Sequence, residues 1–415
     1  MFDPDDTRQR DLTGGRAPWS ASRVRPPRPL LTAGRKCDAL VVGAGITGSL
    51  VSQHLQARGV STCIVDRESP GLGSTAASTA MLQWEIDKSL GDLSLLYGFE
   101  RAARIYRASN SAVAGLRRLV AGLAIECSLR PRASLYIAAG ATGARELLAE
   151  HALRQRASLP GSFLPHSELL GAYGLDREAA ILSPGSADAD PVLLSHGLLG
   201  CAVRDGAHLF DAKALDYDCV RGTVCVSFDS GHVIEARHAV LATGYVMPDF
   251  VGSPLHRMAS SWAIATPSQE SDALWRDGCL IWEASEDYLY ARTTADGRII
   301  IGGQDEDGIA ETAERDAKMP EKKSALLQKL KALWPRADAT AEFAWSGAFG
   351  QTADGLPLIG EVPGTPHLYA AYGYGGNGNT FSFMASRIIG AMIAGDRQDW
   401  HGDFAIDRPD ITGGK

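Results

Sequence analysis

Residues 37–42, Cys-Asp-Ala-Leu-Val-Val, form a short apolar run rich in β-branched residues and closed by glycines. That pattern predicts a parallel strand buried on both faces. Residues 46–59 follow with helical spacing and stop at Gly59, and Ser-Thr-Cys-Ile-Val at 61–65 reads as a second strand closed by Asp66. The whole is one βαβ unit. Its turn is Gly43-Ala44-Gly45-Ile46-Thr47-Gly48, in which each glycine has a task. The first makes the tight turn, the second lets the backbone approach a pyrophosphate, and the third lets helix and strand pack closely. A pyrophosphate would sit on the helix N-terminus, where N–H groups and the positive dipole end favour an anion. Asp66 is placed to accept hydrogen bonds from an adenosine ribose. The unit by itself leaves NAD and FAD open.

The same patterns extend along the chain. Residues 93–123 predict one or two amphipathic helices, 134–138 a strand and 143–156 a helix. Asp190-Pro191-Val192 opens another helix, 224–228 and 239–242 are strands, and Thr243-Gly244-Tyr245 ends the second at a glycine turn. Between 262 and 303 the pattern turns to antiparallel hairpins: 288–293 alternates, Asp296-Gly297 is a tight-turn pair, and 298–303 returns. Residues 322–333 read as a helix with a solvated lysine face, and 368–371 as a short strand. Gly373-Tyr374-Gly375-Gly376-Asn377-Gly378-Asn379-Thr380 then opens a helix over 381–394 that is apolar nearly all round, hence buried. Its N-terminus offers backbone N–H groups at an interior place. Residues 71–80 are nearly all small, so the chain can run close under a flat ligand while Ser74, Thr75 and Ser78 offer hydroxyls.

Composition narrows the function classes. At 415 residues, with 45% hydrophobic and 22% charged residues, the chain is long enough for two or three globular domains. A formal net charge of −8 argues against a nucleic-acid partner. No apolar run reaches the length of a membrane span and the acidic start is no signal peptide, so a cytoplasmic protein is expected. The seven scattered cysteines, without a CxxC pair, predict reduced thiols and no metal site.

Four features now stand in order: the 43–48 turn with Asp66, the small-residue stretch, Ala242-Thr243-Gly244-Tyr245, and Thr352-Ala353-Asp354-Gly355-Leu356-Pro357 followed by the 373–380 loop. From about 37 to 395 the chain resembles the D-amino-acid oxidase, glycine oxidase and sarcosine oxidase family of FAD-dependent enzymes, near its γ-glutamylputrescine oxidoreductase-like members. The resemblance implies an α/β fold: a Rossmann-like FAD-binding domain with a parallel sheet, split in sequence, beside a substrate domain on an antiparallel sheet. The expected division is a flexible leader at 1–36, an FAD-binding domain from 37–124, 186–250 and 345–400, a substrate domain from 125–185 and 251–344, and a tail at 401–415. The cofactor set it implies adds Arg67, Gly73, Thr79, Ala214, Gly347, and the loop 375–380 to the residues already named.

Departures from the family pattern shape the expected chemistry. Gly347 stands near the place where sarcosine oxidase has its flavin-linking cysteine, and 67–90 holds no histidine, so non-covalent FAD is expected. Phe349-Gly350 and Thr380 occupy the places of the arginine and lysine that hold substrate carboxylates in relatives, and Ile300 the place of the lysine that serves oxygen. An amine whose charged end lies farther off therefore fits better than a simple α-amino acid, and the acceptor, oxygen or another carrier, stays open. The reaction expected is hydride transfer from the carbon beside a neutral amine to the flavin, then hydrolysis of the imine. Tyr288, Tyr290, Phe349, Tyr374 and Trp262 are candidates for the wall over the flavin. Arg292 shares a strand face with Tyr288 and Tyr290 and offers an anion contact, although a solvent-exposed strand arginine is its plainer reading. Two other readings share the motifs: an NAD-dependent dehydrogenase, and an FAD-holding subunit without catalysis.

Overall fold

Two sheets carry the architecture of this computed structural model, which describes residues 13–21, 26–308 and 312–410. In the first, five strands run parallel in the spatial order Leu368–Tyr372, Val233–Leu241, Arg35–Val42, Thr62–Asp66 and His208–Asp211. Leu358–Glu361 adds an antiparallel edge, and the hairpin of Ala214–Val220 and Thr223–Phe228 leans on Val233–Leu241. Ala39 and Val41 pack on one face with the helices Ile46–Gln56, Phe99–Gly122 and Gly378–Ile393, while Leu40 and Val42 pack on the other with Phe210 and Phe228. Burial on both faces is why the run at 37–42 shows no alternation.

The second sheet runs Thr13–Arg16, Phe343–Thr352, His256–Ala265, Ile299–Asp307, Leu289–Thr293, Leu280–Ala284, Arg130–Ala138, Ala179–Asp188 and Met81–Leu82, with Ser162–Pro165 beside Ala179–Asp188. Apart from Leu280–Ala284 on Arg130–Ala138, its described pairings are antiparallel. The expected hairpin is present: Tyr290 faces Gly302, and Thr294 closes the turn by donating to the Arg298 carbonyl at 2.9 Å. The helix Met319–Leu333 lies against this sheet through Leu326 and Leu330. The seven cysteines are free. No helix among the described residues is long and apolar enough to cross a membrane.

Three expectations about the division need correction. The expected leader is in part built into the fold: Thr13–Arg16 forms the edge strand on Phe343–Thr352, Trp19 and Leu31 are buried, and Arg35 already belongs to the parallel sheet. Residues 1–12 and 22–25 of that leader lie outside the described residues. Residues 345–352 belong to the antiparallel sheet, because a single strand carries Phe343 and Trp345 into its core before the chain crosses at the 352–357 turn. The tail is also packed: Phe404 is fully buried and Arg408 is inserted against Asp354, while 411–415 lies outside the described residues.

Candidate active site

The carboxyl ends of the parallel strands and the inner face of the antiparallel sheet enclose a cavity of about 690 Å³, within the range of ligand sites. Gly43 begins it. With φ at +105° and the Ala242 carbonyl 2.3 Å from where a Cβ would stand, only glycine fits there. At Gly48 a Cβ would fall 1.8 Å from the Gly43 carbonyl oxygen, so this glycine is what lets the helix press on the turn. The helix Ile46–Gln56 starts from Gly45 without a side-chain cap, and the Ile46 amide donates to Thr75 Oγ1 at 3.0 Å. Asp66 accepts from the Ala44 amide at 2.6 Å and from the Glu68 amide at 2.8 Å. Burial raises its carboxyl above the ordinary range, with those amides acting in the opposite direction.

Most of the residues singled out in the sequence meet on this cavity. Gly43, Gly45, Ile46, Thr47, Asp66, Arg67, Gly73, Ser74, Thr75, Ser78, Thr79, Ala214, Thr243 and Gly244 line one part of it. Gly347, Phe349, Trp262, Tyr288, Tyr290, Tyr374 and residues 375–379 line the other. Thr47 joins the two, since its hydroxyl lies 2.8 Å from Ser382 Oγ and 3.1 Å from the Tyr374 hydroxyl. Ser74 Oγ and Asn379 Oδ1, one from each part, are buried without a hydrogen-bond partner, as groups meant for a ligand would be. The turn, the uncapped helix start and these two orphaned atoms fit a dinucleotide cofactor.

Four residues do not line the cavity. Ala44 and Gly48 act from beneath the turn, and Thr380 donates to the Gln83 carbonyl at 2.7 Å, tying the loop to a neighbouring segment. Arg292 is 2% exposed, contrary to its reading as a surface residue, and donates to the carbonyls of Thr79 and Ala189, with Asp188 at 3.6 Å. Its cation is spent inside the protein and faces no substrate. Burial lowers its pKa to about 10 despite Asp188.

The sequence reading missed an entire wall. Met81, Gln83, Glu85 and Asp87 line the cavity, while Leu82, Trp84 and Ile86 point into the core. The alternation of apolar and polar residues from 82 to 87 is a period-two signal that would have found it. Asn377 Nδ2 donates to the Glu85 carbonyl at 2.7 Å, and the Gly376 amide to Asp87 Oδ2 at 2.8 Å, so this wall is fastened to the glycine loop. Asp87 is reached by solvent through the cleft, yet the surrounding protein raises its carboxyl to about 6 by burial; the Gly376 amide opposes this and the charge of Asp305 adds to it. Tyr288 donates to Asp305 Oδ2 at 2.7 Å, and Tyr290 lies 3.3 Å from Ser261 Oγ.

A parallel sheet with a glycine turn, joined to an antiparallel sheet by a dinucleotide-sized cleft, defines a mixed α/β nucleotide-binding architecture. The chain belongs to the family described as FAD dependent oxidoreductase, whose sequence model matches residues 38–392. It is 23% identical to gamma-glutamylputrescine oxidoreductase of Escherichia coli (strain K12), over 91% of this chain and 88% of that protein. With glycine oxidase of Bacillus licheniformis it shares 24% identity, over 91% of this chain and 99% of the other. Among solved structures, glycine oxidase from Geobacillus kaustophilus matches with a TM-score of 0.73 at 19% identity, covering 90% of this chain and 99% of that one. L-amino acid deaminase from Proteus vulgaris matches with a TM-score of 0.74 at 17% identity, covering 93% and 99%. These likenesses carry the fold, and with the family model they make the protein an FAD-dependent oxidoreductase.

Proposed function

We propose that the protein oxidises the C–N bond of an amine, with FAD held non-covalently along the cleft. When bound, the flavin supplies the two-electron sink, and the imine product hydrolyses in water. One observation carries the reading: the cofactor cradle opens directly into an aromatic chamber whose lining, among the described residues, has no Lys, Arg or His. Trp262, Trp282, Tyr288, Tyr290, Phe349 and Tyr374 form that chamber. A simple α-amino acid would need a cation for its carboxylate, and Arg292, on the same strand as Tyr290, is committed to backbone carbonyls. Tyr374, fixed by Thr47, and the rings around it exclude water and orient an alkylamine by contact.

The arrangement assigns no general base. A neutral amine needs none, and the carboxylates Glu85 and Asp87 stand where they would hold a charged part of the ligand. Among the described residues no cysteine or histidine lines the cavity, which supports non-covalent attachment. Anaerobic mixing of FAD-loaded protein with amines and amino acids, followed by flavin absorbance, tests the reading. Bleaching by amines is expected. Failure to take up FAD, or rapid bleaching by glycine or D-alanine in preference to amines, overturns it.

A further inference from the structure

The charged side chains that line the far end of the cleft are carboxylates, with Arg154 and Lys88 close by but outside the lining. Glu85 and Asp87 project from the extended wall at 81–87, and the residues lining the cavity from the antiparallel sheet include no Lys, Arg or His. Glu85 is 2% exposed; its Oε1 accepts from the Ser134 hydroxyl, and its Oε2 has no hydrogen-bond partner among the described residues. Arg154 Nη1 lies 3.8 Å from Oε1, but Arg154 also binds Glu150 through Nε at 2.8 Å, so one cation serves two carboxylates. A buried carboxylate oxygen without a donor is costly, and Glu85 is one of the residues that line the cleft.

The aromatic side of the chamber has the same preference. Tyr288 gives its hydroxyl proton to Asp305, so toward the cleft it has only acceptor lone pairs to offer. Trp282, stacked on Tyr136 with ring centroids 3.9 Å apart, lines the same space with a π surface. Lys322, the lysine behind Trp262, is turned away and bound to Glu306 and to the Gln304 carbonyl. Among the described residues, Gln83 Nε2 and Trp282 Nε1 are unpartnered donors in the same lining. The charged groups at this end are carboxylates, however, and these with the π faces suit an alkylammonium group, whose three N–H donors can be shared between Glu85 and Asp87. No group of side chains suited to a metal ion exists among the described residues.

Building on the amine-oxidation reading, we propose that Glu85 and Asp87 bind a second, unreacting ammonium, and that the substrate is a diamine or polyamine. The reacting nitrogen lies toward the glycine loop and arrives neutral. The other nitrogen stays protonated and sets specificity.

The test uses the holoenzyme reduced with dithionite, which binds ligands without turnover, and calorimetry with three matched probe series: short α,ω-diamines, n-alkylamines and ω-amino acids. Diamines are expected to bind about ten-fold tighter than alkylamines of equal length, with ω-amino acids weakest. Asp87→Asn is expected to erase that preference, and Glu85→Gln to do the same. Asp87 lies on a solvent-reached wall, so its variant keeps the test sharp even if the Glu85 variant does not fold. Equal or tighter binding of alkylamines or ω-amino acids, or an Asp87→Asn enzyme that keeps the preference, overturns the proposal. Flavin bleaching by the same probes separates the two readings: oxidation of monoamines without diamine preference leaves amine oxidation standing and removes the cation site, while preferential diamine binding without any bleaching does the reverse.

Discussion

Thr47 and Ser382 stand 335 residues apart in the chain, and their hydroxyls share a hydrogen bond of 2.8 Å. Thr47 sits in the first turn of the helix that follows the 43–48 glycines, and Ser382 in the first turns of the buried helix Gly378–Ile393. The Tyr374 hydroxyl, 3.1 Å from Thr47 Oγ1, makes the contact a three-membered network. Two glycine-rich segments from opposite ends of the sequence are thereby tied together.

Thr47→Val keeps the shape and deletes the shared hydroxyl, leaving Ser382 Oγ and the Tyr374 hydroxyl without that partner. A loss of about 1–3 kcal/mol is expected. Scanning calorimetry should show a lower Tm, and titration of the apoprotein a weaker hold on FAD. An unchanged Tm would show the network to be idle.

The N-terminal segment should matter for the cofactor as well. Trp19 Nε1 donates to the Ala76 carbonyl at 2.8 Å and Trp345 Nε1 to the Ala77 carbonyl at 2.9 Å, the two indoles meeting edge-on with centroids 6.0 Å apart. Between them they hold the C-terminal end of the short helix Ser74–Ala77. Trp19→Ala should cost about 3–5 kcal/mol and raise the Kd for FAD. Full stability and FAD affinity in that variant would return residues 13–20 to the status of a loose leader.

Arg408→Ala tests the packed tail. Arg408 meets Asp354 through Nε and Nη2, each at 2.8 Å, and Tyr97 donates to the same carboxylate at 2.6 Å. Removing the arginine strands a buried carboxylate, at a cost of about 3–5 kcal/mol.

Acid should act on the same pair. Burial alone would raise the Asp354 carboxyl, but its bonds to Arg408 and Tyr97 outweigh this and hold it below the ordinary value. A depressed pKa contributes stability that is complete above the unfolded value and disappears as pH falls below about 4. The parent protein should therefore lose this contribution in acid, and the variant should lack it at every pH in denaturant unfolding.

Asp87 predicts the opposite sense. Its carboxyl, pushed up to about 6 mainly by burial, is faced by Asp305, Lys88 and the hydroxyls of Tyr288, Tyr290 and Tyr245, with Glu85 two residues along the same wall. Below that pH it is neutral, so diamine binding to the reduced enzyme should strengthen as pH rises through about 6, and Asp87→Asn should flatten the rise. The raised pKa also means that the folded state holds this proton more tightly than the unfolded chain. Ionising Asp87 between about pH 4 and 6 therefore subtracts stability, which the variant should not lose. A pH-independent binding constant in the parent protein would exclude Asp87 from the cation site.

The local chain chemistry determined a good deal. The strand at 37–42, the glycine turn, Asp66 and the helix opened by Asp190 are all written in residues close together, because turn geometry and helix starts are set by near neighbours. The hairpin around Asp296-Gly297 was legible for the same reason. The wall at 81–87 was legible too, through its alternation, but seven residues between louder glycine motifs are easily passed over.

Only the tertiary structure decided which charges face the ligand. Arg292 alternates with Tyr290 just as a site residue would, yet Thr79, Ala189 and Asp188 absorb its guanidinium from distant parts of the chain. Glu85 and Asp87 become a recognition surface because the 375–379 loop and the Leu289–Thr293 strand close a cavity in front of them. Periodicity can say which residues share a face. Whether a buried charge is neutralised or left open to a ligand depends on partners far away in sequence, and those are fixed by packing alone.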